Sequence, residues 1–295
     1  MDKKLFKDFC QFSKYQLASW DIDPTYPVLK NYYALRQFDM ETALWFTQLY
    51  VTFYHLGSAQ EAFKRYPKPS KVRNMTYPTG IERRGFRGND LASLHLNGFY
   101  DKIKVVGIKR WIDNRIYPGK RRKSWRLLRE EFQTLPYAGP WSSYKWVDLL
   151  KNVHGFKIDA NNIGVGGNSE TAGPIPGKVL LMDMDWRKCA TNTAIQRDLL
   201  NRCIDHDVKF SGLDQLETCL CDFNSLVKGR YYSGHDVDQQ MEHLPKEKIW
   251  WEARRKAVPK RVRGEVGRRW VGVRKELKTL YKSRGIIHTD LKGLS

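Results

Sequence analysis

Hydrophobic positions recur at helical spacing along much of the chain, most clearly in the segment Asp39–His55. An acidic start is followed there by apolar side chains at Leu44, Phe46, Leu49, Tyr50 and Phe53. This spacing predicts a helix with one buried face. We interpret its aromatic side chains as core packing and not as a cofactor site.

Two further helices are predicted around a short turn. Ser124–Phe132 begins at a serine that is suited to capping a helix, and Pro140–Val153 begins at a proline in the first turn. The residues LPYAG, Leu135–Gly139, join them. The basic, proline-rich Lys64–Gly88 and the Gly- and Pro-rich Asn161–Lys178 are predicted to be irregular. The pattern therefore favours a mainly α fold without internal repeats.

The charge balance points to a polyanionic partner. Lys and Arg number 52 against 32 Asp and Glu, which gives a formal net charge of +20. Nucleic acid is the first partner that such a charge suggests, and an anionic membrane surface is the second. No apolar run approaches the ~20 residues of a membrane span. Met1–Lys14 also lacks a signal-peptide core, so we expect an intracellular protein.

The positive charge is concentrated in two segments. Lys102–Arg129 contains Asp113 as its only acidic residue, and Lys246–Arg284 contains fifteen Lys or Arg against four Glu. Aromatic residues such as Trp250 and Trp270 are interleaved with the second group, as in nucleic-acid-binding segments. We therefore predict a helical core over residues 1–245 and a basic helical C-terminal extension over 246–295, either separate or packed on the core.

The cysteines do not form a recognisable framework. There are five of them, Cys10, Cys189, Cys203, Cys219 and Cys221, and they are widely scattered. An odd, scattered set argues against a secreted disulfide scaffold. A zinc site could be formed by Cys203, Cys219, Cys221 and His235, but their spacing matches no paired CxxC pattern. We expect no metal.

The turn at Leu135–Gly139 carries a mechanism for binding DNA. Glycine permits a tight hairpin with positive φ and lets bare backbone approach a ligand. N–H groups at the start of the second helix then bind one phosphate, which fixes register without reading sequence. The residues that we expect to contact DNA are Tyr137, Gly139, Trp141, Ser142, Lys145, Arg121 and Arg122.

This segment resembles the helix-hairpin-helix signature of the DNA glycosylase superfamily, Leu-Pro-Gly-x-Gly followed by a helix. The resemblance implies a glycosylase-like helical core with a catalytic Asp about twenty residues after the second glycine, a position that Asp159 holds here. Tyr137 stands where the superfamily has its first glycine. Trp141 occupies the position of the lyase lysine, which argues against lyase chemistry. The four-cysteine iron–sulfur spacing of some members is absent.

A narrower resemblance covers most of the chain. The hairpin together with NNIGVGGNSETAGPIPG and with Glu217–Asp238 is similar to the phage alpha-glutamyl/putrescinyl thymine pyrophosphorylases, also called amino acid:DNA transferases. The resemblance implies an enzyme that acts on double-stranded viral DNA in the host cytoplasm, in thymidine hypermodification that evades host restriction. Its expected reaction replaces the pyrophosphate on pyrophosphorylated 5-hydroxymethyluracil with an amine, from an amino acid such as glycine or serine or from a polyamine.

That reaction requires base extrusion, stabilisation of pyrophosphate and a general base. For pyrophosphate we predict Lys228, Arg230 and Tyr231, with the loop 163–178 as a second candidate. For the base we favour Asp159, by analogy with the glycosylase Asp, and its competitor is His235, whose neighbour is Asp236. The reaction requires no redox cofactor. Arg83, Arg84 and Arg87 are candidates to bind an amino-acid carboxylate, and nothing in the sequence distinguishes them.

Two other functions remain open at this point. A DNA glycosylase that removes a modified base would share the fold, which does not decide chemistry. A non-enzymatic DNA-binding protein would use the same hairpin. The polar, Gly-rich and His-Asp segments beyond the hairpin argue against this last alternative.

Overall fold

The computed structural model describes residues 3–19, 21–80, 91–163, 193–227, 231 and 234–257, and in these ranges the chain is helical without a strand. The helices are α1 (Lys3–Ser19), α2 (Thr25–Leu35), α3 (Met40–Phe53), α4 (Leu56–Arg65), α5 (Leu91–Ile103), α6 (Ile108–Asp113), α7 (Arg121–Phe132), α8 (Pro140–Asn152), α9 (Thr193–Asp205), α10 (Leu213–Val227), α11 (His235–His243) and α12 (Lys248–Ala257). The predicted mainly α fold is confirmed. None of these helices is long and apolar enough to cross a membrane.

The described residues divide into two compact units. The first contains those within 1–25, 162–242 and 255–295, and the second those within 26–161 and 243–254. Each unit is therefore assembled from separate stretches of the chain. The division does not test the predicted boundary between residues 245 and 246, which stays a prediction.

Helix α3 lies at the centre of the second unit. All its residues from Ala43 to Phe53 are buried. Asp39 caps its N-terminus by accepting a hydrogen bond from Thr42 N at 2.8 Å. Tyr54 ends it in a left-handed conformation at φ 49°. The helix predicted over Asp39–His55 is confirmed; Asp39 and Tyr54 are its caps, and His55 lies outside it.

The start of α7 differs from the prediction. The helix begins at Arg121, three residues before Ser124, and Lys120 is the N-cap residue without a side-chain cap. Ser124 is buried; its hydroxyl donates to Lys120 O at 3.2 Å and accepts from Tyr117 N at 2.8 Å. The predicted serine cap is therefore wrong, because this hydroxyl ties the preceding turn to the helix instead.

Helix α4 extends two residues into the segment 64–88 that was predicted to be irregular. Lys64 and Arg65 form its last turn, and the chain is irregular from Tyr66 to Gly80. Helix α8 matches its prediction: Gly139 precedes it, and Pro140 occupies the first turn. Residues 164–178, 179–184 and 270–282, for which we predicted a loop, a short strand or extended segment and a helix, lie outside the described residues.

The first unit has its own apolar core. Phe9 and Phe12 of α1 pack against Phe223 of α10, with ring centroids 5.4 and 5.7 Å apart. Leu199 of α9 and Leu220 of α10 complete the buried cluster. This core joins the N-terminal helix to elements about two hundred residues away, so the candidate residues near Tyr231 are held against the start of the chain.

The beginning of the predicted C-terminal extension is helix α12. Its Trp250 is fully buried in the second unit and stacks on Tyr32, with ring centroids 3.7 Å apart. The indole N–H also donates to Gln60 Oε1 at 3.2 Å. Residues 248–254 thus belong to the second unit, with Trp250 in its core, whereas 258–295 lie outside the described residues.

Candidate functional site

The hairpin between α7 and α8 has the compact turn that its sequence suggests, but the strained position differs. Tyr137 adopts the left-handed conformation at φ 60°. Gly139 has φ −92° and ψ 179°, an extended conformation that any residue adopts. Our expectation of a positive φ at Gly139 is therefore wrong. Tyr137 occupies the position of the first glycine in the resembled signature. It has the left-handed backbone that favours glycine, although it bears a phenol ring.

Packing within the chain does not require Gly139 either. A Cβ built on it would meet no heavy atom within 4 Å outside its immediate neighbours, whereas one built on Gly98 would lie 2.5 Å from Pro136 Cδ. Gly98 is thus needed for α5 to approach the hairpin. His95 of the same helix binds Pro136 O through Nδ1 at 2.8 Å. The bare backbone at Gly139 is left open on its outer side.

Three of the residues expected to contact DNA are exposed. Tyr137 is 53% exposed at the tip of the hairpin, and Arg121 and Arg122 lie on the exposed first turn of α7. Arg121 also approaches Asp159, with 3.6 Å between its Nη1 and the carboxylate oxygen. An ion pair this exposed contributes little to stability, so DNA phosphate can compete for the guanidinium.

Three other residues of that set face inward. Trp141 packs its ring edge-on against Tyr54, with centroids 4.9 Å apart. Ser142 is buried and donates to Gly139 O at 3.0 Å. Lys145 is 9% exposed, and its Nζ lies 5.9 Å from the centroid of the Tyr26 ring. In this arrangement Ser142 supports the hairpin from within, and DNA contact by these three side chains stays a prediction.

Asp159 lies beside the basic start of α7. Its main-chain N–H donates to Arg121 O at 3.5 Å, and its carboxylate is 3.6 Å from Arg121 and 3.9 Å from Lys151. Gly155, at φ 75°, ends α8 and turns the chain back, and Ile158 anchors the segment in the core. The Asp159 carboxylate is 42% exposed and paired with two cations.

His235 and Asp236 form a pair at the start of α11. Their Nδ1 and Oδ1 atoms are 3.0 Å apart, and their side chains are 36% and 24% exposed. The Tyr231 ring lies against the imidazole, with centroids 5.1 Å apart. A carboxylate at Nδ1 orients an imidazole and stabilises its protonated form, which suits a general base. The structure therefore brings together three residues that the sequence predicted as site members, His235, Asp236 and Tyr231.

Buried carboxylates behind this pair were missed by the sequence analysis. Asp21 is fully buried and accepts from Tyr231 Oη at 2.7 Å. Burial, followed by the charge of Asp236, raises the pKa of Asp21 to about 8, although its hydrogen-bond donors oppose the shift. Burial and the neighbouring carboxylates of Asp236 and Asp21 also raise the pKa of Asp222. No local feature of the sequence singles out Asp21, and only the fold shows that it lies beside residues 231–237.

Several residues predicted for the site are not among those that the structure describes. Lys228, Arg230, the loop 164–178 and the arginines 83, 84 and 87 lie outside the described residues. Within the described ranges, no group of three His, Cys, Asp or Glu side chains is arranged to hold a metal ion. The thiol of Cys203 forms a hydrogen bond with Cys10. This bond and burial both raise the pKa of the Cys203 thiol.

A comparison with protein-family models gives a match over residues 18–232 to the model described as amino acid:DNA transferase. The chain belongs to this family. The amino acid:DNA transferase match includes the hairpin, Asp159, Asp21, Asp222 and Tyr231, and it ends three residues before His235. The chain is thus an enzyme of the amino acid:DNA transferase class, with DNA and an amino acid as its partners. No curated protein matches the sequence of this transferase.

Proposed function

We propose that the protein replaces the pyrophosphate of 5-pyrophosphoryloxymethyl-deoxyuridine in DNA with an amine. The amine nitrogen forms a bond to the methylene carbon at C5, and the bond from that carbon to the pyrophosphate oxygen breaks. Pyrophosphate departs with the electron pair, and a general base takes the proton lost by the nitrogen. The step is neither an oxidation nor a reduction, so it needs no redox cofactor.

The observation that carries this proposal is the family match over residues 18–232, because it names both an amino acid and DNA. The hairpin supplies a site suited to DNA. Gly139 leaves its outer side open, and Tyr137, Arg121 and Arg122 are exposed around it. Backbone N–H groups at the start of α8 bind one phosphate there, in the manner of helix N-termini.

We assign the general base to His235, with Asp159 as the alternative. Asp236 lies at Nδ1 of His235, so the imidazole has a partner that stabilises it when it takes a proton. The oxygens of the Asp159 carboxylate instead lie 3.6 Å from Arg121 Nη1 and 3.9 Å from Lys151 Nζ, so two cations compete with an amine for them. The two assignments predict different effects of substitution, which are given in the Discussion.

The pyrophosphate leaving group is assigned to Lys228 and Arg230. Tyr231, which was predicted with them, is buried, and its hydroxyl is bound to Asp21 and Gln16, so we assign it to supporting the segment and not to contacting pyrophosphate. Negative charge grows on the leaving oxygen as the bond breaks, so cations at that oxygen accelerate the step. An arginine can bind two of the phosphate oxygens at once. Tyr231 is buried beside His235, which supports placing the leaving-group contacts and the base in one segment of the chain.

The biological setting that we propose is thymidine hypermodification of phage DNA in the host cytoplasm. Replacing pyrophosphate with an amine leaves a modified base in double-stranded DNA, which host restriction enzymes recognise poorly. The donor in this proposal is glycine, serine, another amino acid or a polyamine.

Mass spectrometry of nucleosides tests the reaction directly. DNA carrying 5-pyrophosphoryloxymethyluracil is incubated with the protein and with amino acids and polyamines, singly and mixed. We expect a new nucleoside heavier than hydroxymethyldeoxyuridine by one amine less one water, together with released pyrophosphate. Free modified base and abasic sites would instead show a glycosylase and refute the proposal.

A further inference from the structure

Asp21 is the centre of a hydrogen-bond network in the first unit. Its Oδ2 accepts from Tyr231 Oη at 2.7 Å and from Gly234 N at 2.6 Å. Its Oδ1 accepts from Asp236 N and from Val237 N, both at 3.1 Å. One buried carboxylate thus binds four donors from a segment more than two hundred residues away.

The four donors surround the proposed base in the sequence. Gly234 immediately precedes His235, and Asp236 and Val237 immediately follow it, so Asp21 fixes the main chain on both sides of the imidazole. Asp236 N and Val237 N belong to the first turn of α11, where a carboxylate satisfies otherwise unpaired N–H groups and interacts favourably with the helix dipole. Asp21 therefore caps α11 from a remote position.

Asp21 is itself held in place by the end of α1. Its main-chain N–H donates to Gln16 O at 3.1 Å, and Gln16 Nε2 donates to Asp21 O at 3.1 Å. The same Nε2 contacts Tyr231 Oη at 3.3 Å and forms a hydrogen bond with the Asp222 carboxylate. A carboxylate fixed this firmly can in turn fix the residues that bind it.

We propose that Asp21 is a positioning residue of the transferase site, which sets the direction of the His235 imidazole and of the Tyr231 hydroxyl. The inference rests on the proposed function, in which His235 takes the proton of the amine. Asp21 reaches no substrate in this proposal, because it is fully buried. It acts through the backbone of residues 234–237 and through the phenol of Tyr231.

Asparagine is the informative substitution because it keeps the shape of the side chain. Its amide has one accepting oxygen and one donating nitrogen. If the oxygen takes the place of Oδ1, the bonds to Asp236 N and Val237 N remain, and the nitrogen can donate to Tyr231 Oη. The same nitrogen then faces Gly234 N, which is also a donor, so this contact is lost. Asp21→Asn thus loosens the segment just before His235, and Asp21→Ala removes all four contacts.

Single-turnover kinetics at pH 9, where Asp21 with its pKa of about 8 is ionised, measure the effect on chemistry independently of how much of the preparation is active. We expect Asp21→Asn to lower the rate constant by about 10-fold and Asp21→Ala by about 100-fold, as for misplaced catalytic groups. The KM for DNA should change by less than about twofold, because the hairpin that we propose to bind DNA contains none of the residues that Asp21 binds.

A matched control is Glu41→Gln. Glu41 also caps a remote helix, since its carboxylate accepts from Ile108 N and Lys109 N at 2.8 Å each in the second unit. It tests the general cost of losing such a cap. We expect it to lower the melting temperature and to leave the single-turnover rate constant at the wild-type value.

A second readout does not depend on turnover. The ¹⁵N chemical shifts of the His235 ring report its tautomer and its contact with Asp236, and they are recorded without substrate. We expect both Asp21 variants to change these shifts and Glu41→Gln to leave them unchanged. Unchanged shifts in Asp21→Asn, or equal rate losses in Asp21→Asn and Glu41→Gln, would refute the positioning role. A wild-type protein without transferase activity would refute the proposed function alone, since the ring shifts still decide the role of Asp21.

Discussion

Gly139 offers a direct test of the hairpin as a DNA-binding element through the variant Gly139→Ala. The backbone at φ −92° and ψ 179° accepts alanine, and the added Cβ has no neighbour within 4 Å. Alanine is a poorer N-cap residue than glycine by a few tenths of a kcal/mol or more. It also restricts the unfolded chain, which stabilises by about 0.4–1 kcal/mol. The two effects oppose each other, so we expect the free energy of unfolding to change by less than about 1 kcal/mol.

Binding should respond quite differently if a phosphate approaches the bare backbone. The new methyl group would keep the phosphate from the N–H groups and remove one charge-assisted hydrogen bond, worth about 1.5–3 kcal/mol. This corresponds to a loss of affinity of roughly 10- to 150-fold. Fluorescence anisotropy with double-stranded DNA at one fixed salt concentration measures the affinity, and urea unfolding measures the stability.

Gly155→Ala is the matched control at the opposite end of α8. Gly155 also has no neighbour within 4 Å of a built Cβ, but its φ is 75°. Alanine there is strained and should cost about 1 kcal/mol of folding stability without changing DNA affinity. If Gly139→Ala binds DNA as tightly as the wild type while remaining folded, the hairpin backbone does not lie against a phosphate, and the reasoning fails.

Three further predictions concern the chemistry and its pH dependence. His235→Gln should lower the single-turnover rate constant by about 100-fold or more with little change in DNA affinity, and Asp159→Asn should lower it less; the reverse order would assign the base to Asp159. Replacing Lys228 and Arg230 together by Ala should slow chemistry far more than it weakens binding to unmodified DNA, and equal losses would make the segment a DNA-contact surface. The pKa of Asp21 is raised from 3.8 to about 8 in the folded protein. Between these two values the folded form holds a proton that the unfolded chain has released. The stabilisation that this proton confers is therefore complete below pH 3.8 and is lost as the pH rises through about 8. Urea unfolding at pH 5 and pH 9 should therefore show a larger decrease for the wild type than for Asp21→Asn, and parallel decreases would contradict the assignment.

The sequence predicted the elements whose signals are local. The helix around α3 followed from apolar spacing and an acidic cap, and α8 followed from Pro140 in its first turn. The turn between α7 and α8 was expected from its residues, but the positive φ was assigned to Gly139 rather than Tyr137. Because a glycine is permissive in either conformation, its presence alone does not say which neighbour bears the strain.

The candidate site was predicted only in part because its contacts are long-range. Tyr231, His235 and Asp236 are close in the sequence and were predicted from their residue types and from the family resemblance. Asp21 and Asp222 have no local signal, since an aspartate after a helix is ordinarily solvated. Only the packing of α1 against α10 brings them to residues 231–237.

The stacking of Trp250 on Tyr32 bears on how the protein is made. A ribosome releases the chain from its N-terminus, so α2 to α8 emerge well before the indole that completes their core. Until α12 follows, the face of Tyr32 remains uncovered and accessible to chaperones or proteases. A chain terminated before residue 248 would therefore be degraded instead of competing for DNA as an inactive binder.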